Sequence, residues 1–95
     1  MKIQDGKEQE AVAQLERMIV AVAEKEPGAI AYAFHRSQDD QSQVVLYESY
    51  VDNEAFQAHM KTPHMAELRA SVSELFDTSE IEVTRLDRVA GFTRG

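Results

Sequence analysis

Apolar residues recur along this chain first at helical spacing, then at strand spacing, then at helical spacing again. Val12, Leu15, Ile19 and Val22 are separated by 3, 4 and 3 residues, the interval that returns side chains to one face of a helix. Met18 and several alanines widen that stripe. The pattern predicts a helix from about Lys7 to Glu24, with an acidic first turn that suits the helix dipole. Glu26-Pro27-Gly28 stops it, because proline cannot continue a helix and glycine tolerates the turn. A second stripe, Met65, Leu68, Val72, Leu75 and Phe76, is spaced 3, 4, 3 and 1 and predicts a second amphipathic helix. Thr62 is placed to cap it, with Pro63 at its first position.

Between the helices the period changes to two. In Ala29 to Arg36, Ile30, Tyr32 and Phe34 share one face, and Ala29, Ala31, Ala33 and His35 share the other. Gln43 to Val51 alternates Val44, Leu46, Glu48 and Tyr50 with Val45, Tyr47, Ser49 and Val51. The polar link Ser37 to Ser42 joins the two as an antiparallel hairpin. Asp52 or Asn53 caps a short helix running through His59 and Met60. Glu80-Ile81-Glu82-Val83-Thr84 alternates and reads as a final strand, and only Met1 to Gln4 precede the Asp5-Gly6 turn as a first one.

The resulting order is βαββαβ, with a short first strand: an α+β, ferredoxin-like fold with helices on one face of an antiparallel sheet. The central hairpin is apolar on both faces, so its second face also needs a cover. The sheet of a second subunit is the economical one, and the expectation is a homodimer with a shared barrel-like core. With 95 residues there is room for one domain, residues 1–95, with its core at about 6–86. The tail, 87–95, is expected against the partner subunit.

Composition narrows the functional classes. Apolar residues make up 43% of the chain, which argues against disorder. The formal charge of −7 disfavours nucleic acid, which needs a basic face, and anionic membranes. No apolar run reaches the ~20 residues of a membrane span. The first residues carry no signal-like stretch, so a cytoplasmic location is expected. With no cysteine, disulfides and thiol chemistry are excluded.

Candidate chemistry centres on Glu48, a carboxylate in an otherwise apolar strand. Burial raises the pKa of a lone carboxylate, so it must be paired or protonated. Tyr50, two residues on, shares its face. His35, His59 and His64 are natural partners, and the set reads as a general base with its orienting groups. An equal alternative is a structural glutamate bonded to an arginine or a backbone amide. His59 and His64 lie five apart with Pro63 between them, whereas helical zinc pairs are spaced by four, so no metal site is expected. Tyr32, Phe56 and Tyr50 are candidates for lining an aromatic ligand, though such residues serve more often as core.

The ordered set Glu26-Pro27-Gly28, Tyr32 and His35-Arg36, then Tyr47-Glu48-Ser49-Tyr50 and Asp52, then Ala55, His59 and Pro63-His64 resembles the antibiotic biosynthesis monooxygenase domain family. The resemblance spans about Gly6 to Leu86. It implies a ferredoxin-like fold, a homodimer packed sheet to sheet, and a cavity between sheet and helices. It also implies oxidation of a small quinol-like or anthrone-like aromatic by molecular oxygen, with no metal, flavin or other cofactor. Carried onto this chain, Glu48 and Tyr50 face the cavity with His59 and His64 above them, and His35 lies at the hairpin. The chain departs from many relatives in having Tyr50 where they have tryptophan, and no tryptophan at all. That weakens any link to haem-degrading relatives. A non-oxidative isomerase of a small carbonyl metabolite and a non-catalytic binding dimer for a small ligand or haem are the alternatives within the fold.

Overall fold

The computed structural model describes residues 1–94, with elements β1 (Lys2–Ile3), α1 (Glu8–Lys25), β2 (Ala29–Arg36), β3 (Val44–Tyr50), α2 (Asn53–Met60), α3 (Pro63–Leu75) and β4 (Phe76–Asp77). Strand β1 pairs antiparallel with β4, and β2 with β3. A bridge between Lys2 and Gln43 joins the two pairs. It is reinforced by the Val44 amide donating to the Met1 carbonyl at 2.7 Å and the Ile3 amide donating to the Ser42 carbonyl at 2.7 Å. The spatial order is therefore β4-β1-β3-β2, that of the ferredoxin-like α+β fold.

The helices form where the apolar stripes place them, and their ends are held by local hydrogen bonds. The Asp52 side chain caps α2 by accepting from the Ala55 amide at 2.8 Å. The Thr62 hydroxyl caps α3 by accepting from the Met65 amide at 3.2 Å, with Pro63 at the start of that helix. Such caps satisfy amides that the first helical turn leaves unpaired. Helix α1 buries Ala11, Leu15, Met18 and Val22, so its buried face is centred one position away from the Val12 and Ile19 side of the stripe.

Two apolar clusters fill the space between sheet and helices. One gathers Ile3, Ala11, Leu15, Val44, Leu75 and Phe76, and the other Met18, Val22 and Leu68, with Tyr32 and Met65 against it. Gly28 is required where β2 begins, because a Cβ there would lie 2.6 Å from the Ala55 Cβ. The missing side chain lets α2 approach the sheet closely.

Two expectations change. The closing strand is Phe76–Asp77, not Glu80 to Thr84: Thr78–Glu80 forms a 3-10 turn and residues 81–94 carry no regular element. Phe76 is fully buried whereas Val83 is 82% exposed, so the sheet closes through the residue that removes more apolar surface from water. A register shift at Ala29/Ala31 also breaks the alternation of β2. Ala29 packs with Tyr32 on the helix side, and Ile30 is displaced to 65% exposure.

Candidate functional site

A chain of polar side chains runs from the open rim of the hairpin into the ends of three helices. At the rim, the Tyr50 hydroxyl donates to Glu48 Oε1 at 2.7 Å. Glu48 lies opposite Tyr32 in the β2-β3 register, and its side chain is 33% exposed. Its Oε1 lies 3.7 Å from His59 Nε2, within ion-pair range but too long for a hydrogen bond. The other ring nitrogen of His59, Nδ1, meets both carboxylate oxygens of Glu26 at 3.0 Å. Glu26 Oε2 also meets His64 Nε2 at 2.5 Å. One buried carboxylate thus holds two imidazoles, while a second carboxylate faces the far side of one of them.

Local sequence explains each placement. Glu26 is the last residue to hydrogen-bond into α1, its amide donating to the Val22 carbonyl at 3.0 Å, before Pro27-Gly28 turns the chain. His59 lies near the end of α2, and the Thr62 hydroxyl donates to its carbonyl at 2.8 Å. The same hydroxyl caps α3, and His64 sits in that helix's first turn. One threonine therefore ties together the two helix ends that carry the histidines. The His59 ring packs between Tyr32 and Tyr50, with centroids 5.5 and 5.4 Å away. Tyr50 also meets Phe56 edge to face at 5.5 Å, and Arg85 stacks on Phe56 at 4.6 Å.

The phenols are donors. Burial is the first cause that pushes the Tyr32 hydroxyl well above its usual pKa, with the negative charges of Glu48 and Glu26 adding to it. Burial likewise raises Tyr50, together with its hydrogen bond to Glu48 and the charge of that carboxylate. Both therefore stay protonated near neutrality. Among the described residues no buried side-chain nitrogen or oxygen lacks a hydrogen-bond partner. The Glu26 end of the cluster is pre-organised, its carboxylate bonded to both imidazoles.

Of the residues singled out from the sequence, Glu48, Tyr50, Tyr32, His59, His64 and Phe56 come together. His35 does not: it pairs with Val45, an odd number of positions from Glu48, and so lies on the opposite face of the hairpin. Local spacing identifies Glu26 only as part of the stop of α1, although it lies at the centre of the cluster. Its place in the quoted Glu26-Pro27-Gly28 motif was the signal available for it. On the far side of His64, a hollow of about 200 Å³ opens between α1 and α3, lined among others by Gln14, Met18 and Pro63.

Comparison with known proteins fits this architecture. The family model for antibiotic biosynthesis monooxygenase matches residues 1–71. Among solved structures, PA3566 from Pseudomonas aeruginosa is similar with a TM-score of 0.80 and 22% identity, covering 95% of this chain and 88% of that one. A Bacteroides thetaiotaomicron protein named for the same family gives a TM-score of 0.78 at 20% identity, over 98% and 90% of the two chains. Rv0793 from Mycobacterium tuberculosis gives 0.75 at 26% identity, over 94% and 91%. A comparison with curated proteins found no match.

Proposed function

On the premise that the chain belongs to the antibiotic biosynthesis monooxygenase family, we propose that it is a monooxygenase for a small quinol-like or anthrone-like aromatic, acting with molecular oxygen as a homodimer. The observation that carries this reading is the line of side chains Tyr50, Glu48, His59, Glu26 and His64, hydrogen-bonded except for the 3.7 Å step from Glu48 to His59 and set among aromatic rings with Glu48 exposed at its outer end.

In this reading the aromatic lies against Tyr50, Tyr32 and Phe56. Glu48 takes the phenolic or ring-methylene proton, and Tyr50 holds the carboxylate in place. His59 Nε2 faces Glu48 and shares that proton, while Glu26 on Nδ1 orients the ring and stabilises its charged form, as the carboxylate of a catalytic triad does. The substrate anion then passes one electron to oxygen. The resulting radical pair combines at carbon to a peroxide anion, which takes back the proton held by Glu48 and His59 to become a hydroperoxide and then loses water to leave a carbonyl. One oxygen atom enters the product and the other leaves as water. The substrate supplies the electrons, so no cofactor enters the scheme. The protein contributes position and placed charge.

Support for the dimer comes from the other face of the hairpin, where Val45 is 63% and Tyr47 45% exposed. An apolar sheet face of this kind marks an interaction surface, and an antiparallel sheet of a second copy matches it.

The test is oxygen uptake on a panel of hydroquinones and anthrones, with Glu48→Gln and His64→Ala beside the parent chain. Turnover should fall by roughly 10²–10⁴-fold in Glu48→Gln, the usual contribution of a placed base. No turnover across the panel, or equal rates in both variants and the parent, sinks the reading.

A further inference from the structure

We propose that Glu26, His59 and His64 form a binding site for a single first-row divalent transition metal such as zinc. Their donor atoms lie within 4.8 Å of one another, and the three side chains are only 9%, 2% and 10% exposed. They come from the ends of three different helices, so the set is invisible to any motif based on spacing along one helix. Two imidazoles and a carboxylate are the nitrogen and oxygen donors that zinc and its neighbours prefer over calcium or magnesium.

Geometry supports the assignment. Two donors on one tetrahedral zinc ion are about 3.3 Å apart, given metal–ligand distances of about 2.0–2.2 Å. The Glu26–His59 and Glu26–His64 contacts are 3.0 and 2.5 Å. Outward shifts of less than about 1 Å bring those two contacts to the spacing a tetrahedral ion needs, and the two imidazole nitrogens, within 4.8 Å of each other, must close toward the same spacing. Loading needs a change of tautomer at His59. Its Nδ1 gives up the proton it donates to Glu26, and Nε2 carries one instead. That N–H then points at Glu48, 3.7 Å away, and Glu48 is in turn held by Tyr50. A carboxylate behind the distal nitrogen of a ligating histidine is the usual outer support of a metal site.

Among the described residues, neither Glu26 nor Glu48 forms an ion pair with a lysine or arginine; their ion-pair partners are histidines alone. A divalent cation would supply both carboxylates with a fixed positive charge. Three protein donors leave a fourth position for water. The ion occupies the lone pairs that the proposed proton relay uses, so metal-bound and proton-relaying forms are alternative states of one cluster. Metal binding itself is independent of whether the chain oxidises an aromatic.

The experiment uses the full chain without a histidine tag, stripped with EDTA and titrated with Zn²⁺ by calorimetry, with elemental analysis after dialysis. One zinc per chain is expected. Histidine ¹⁵N shifts should move at His59 Nδ1 and His64 Nε2 and not at His35. Glu26→Gln and His59→Ala should each weaken binding by at least tenfold to a hundredfold, with far-UV circular dichroism confirming the fold, and His35→Ala should bind as the parent does. If a variant fails to fold, the ¹⁵N shifts of the parent chain decide alone. Fewer than one ion per chain, shifts confined to His35, or unchanged affinity in a folded Glu26→Gln overturns the site.

Discussion

Replacing Glu26 by glutamine tests the buried carboxylate at the centre of the cluster with almost no change of shape. In the parent chain one anion accepts from His59 Nδ1 and His64 Nε2. Glutamine offers one oxygen and one amide group, so a single imidazole keeps an acceptor and the other faces a donor. His59 has a way out, because moving its proton to Nε2 directs that N–H toward Glu48, 3.7 Å away. The residual loss is the difference between two charge-assisted hydrogen bonds and two neutral ones. Bonds to charged groups contribute about 1.5–3 kcal/mol and neutral ones about 0.5–1.5, so Glu26→Gln should destabilise by roughly 1–3 kcal/mol.

A domain of this size loses about 4–8 °C in Tm per kcal/mol, which gives a fall of roughly 4–24 °C. Urea unfolding followed by circular dichroism, in EDTA to keep metal out, measures the loss. Long-range ¹⁵N NMR of His59 should show the tautomer change. The effect should be insensitive to salt, because the group is buried away from screening ions. His35→Ala, at an exposed position on the other hairpin face, serves as control. A loss below about 0.5 kcal/mol, the range of ordinary surface substitutions, with an unchanged His59 spectrum, would refute the idea that Glu26 holds the two rings.

Two further outcomes are expected. Phe76→Ala should cost about 3–5 kcal/mol, as for other fully buried aromatic truncations, whereas Val83→Ala should stay within about 0.5 kcal/mol; equal losses in urea unfolding would restore Glu80 to Thr84 as the closing strand. Tyr32 and Tyr50 have folded-state pKa values raised above the usual 10.0, so the stability they contribute is complete below about pH 10 and is lost as pH rises beyond it. The chain has three tyrosines and Tyr47 is 45% exposed, so it is the phenolate absorbance of the other two that should appear together with loss of secondary structure in alkali, and Tyr32→Phe/Tyr50→Phe should flatten the decline; more than one phenol ionising before the fold is lost would contradict the burial of Tyr32 and Tyr50.

The local devices of this fold are legible in the sequence because each acts over a few residues. The helix that the Val12 to Val22 stripe predicts, the caps at Asp52 and Thr62, Pro63 at the start of α3 and the alternation of β3 all appear, although the buried face of α1 runs through Ala11 and Met18 rather than Val12 and Ile19. What escaped depends on distant partners. Phe76 follows Leu75 at the end of a helical stripe, and only its pairing with Ile3 makes it a strand residue. The alternation of Glu80 to Thr84 found no strand to pair with. The bulge that moves Ile30 outward depends on how β2 meets β3. Glu26 is the clearest case, since its partners His59 and His64 are 33 and 38 residues further on. A spacing of five between those histidines argues against a pair on one helix, and the chain does break between α2 and α3. Two helix ends converging on a third achieve what a single helix at that spacing does not.

The alternation of the hairpin then separates two roles that the sequence alone left mixed. Residues facing the helices on β2 and β3 include Tyr32, Glu48 and Tyr50, and these carry every polar contact that the hairpin makes with the Glu26 cluster. Residues on the other face include Val45, Tyr47 and His35, and none of them reaches that cluster. A one-residue slip of β3 would exchange the two sets, burying Val45 and Tyr47 and turning Glu48 away from His59. The buried Val44, whose amide is held by the Met1 carbonyl at 2.7 Å, opposes that slip. The short first strand thus has a consequence beyond closing the sheet. By gripping the start of β3 it keeps Glu48 facing His59, which makes a two-residue strand part of what positions that pair.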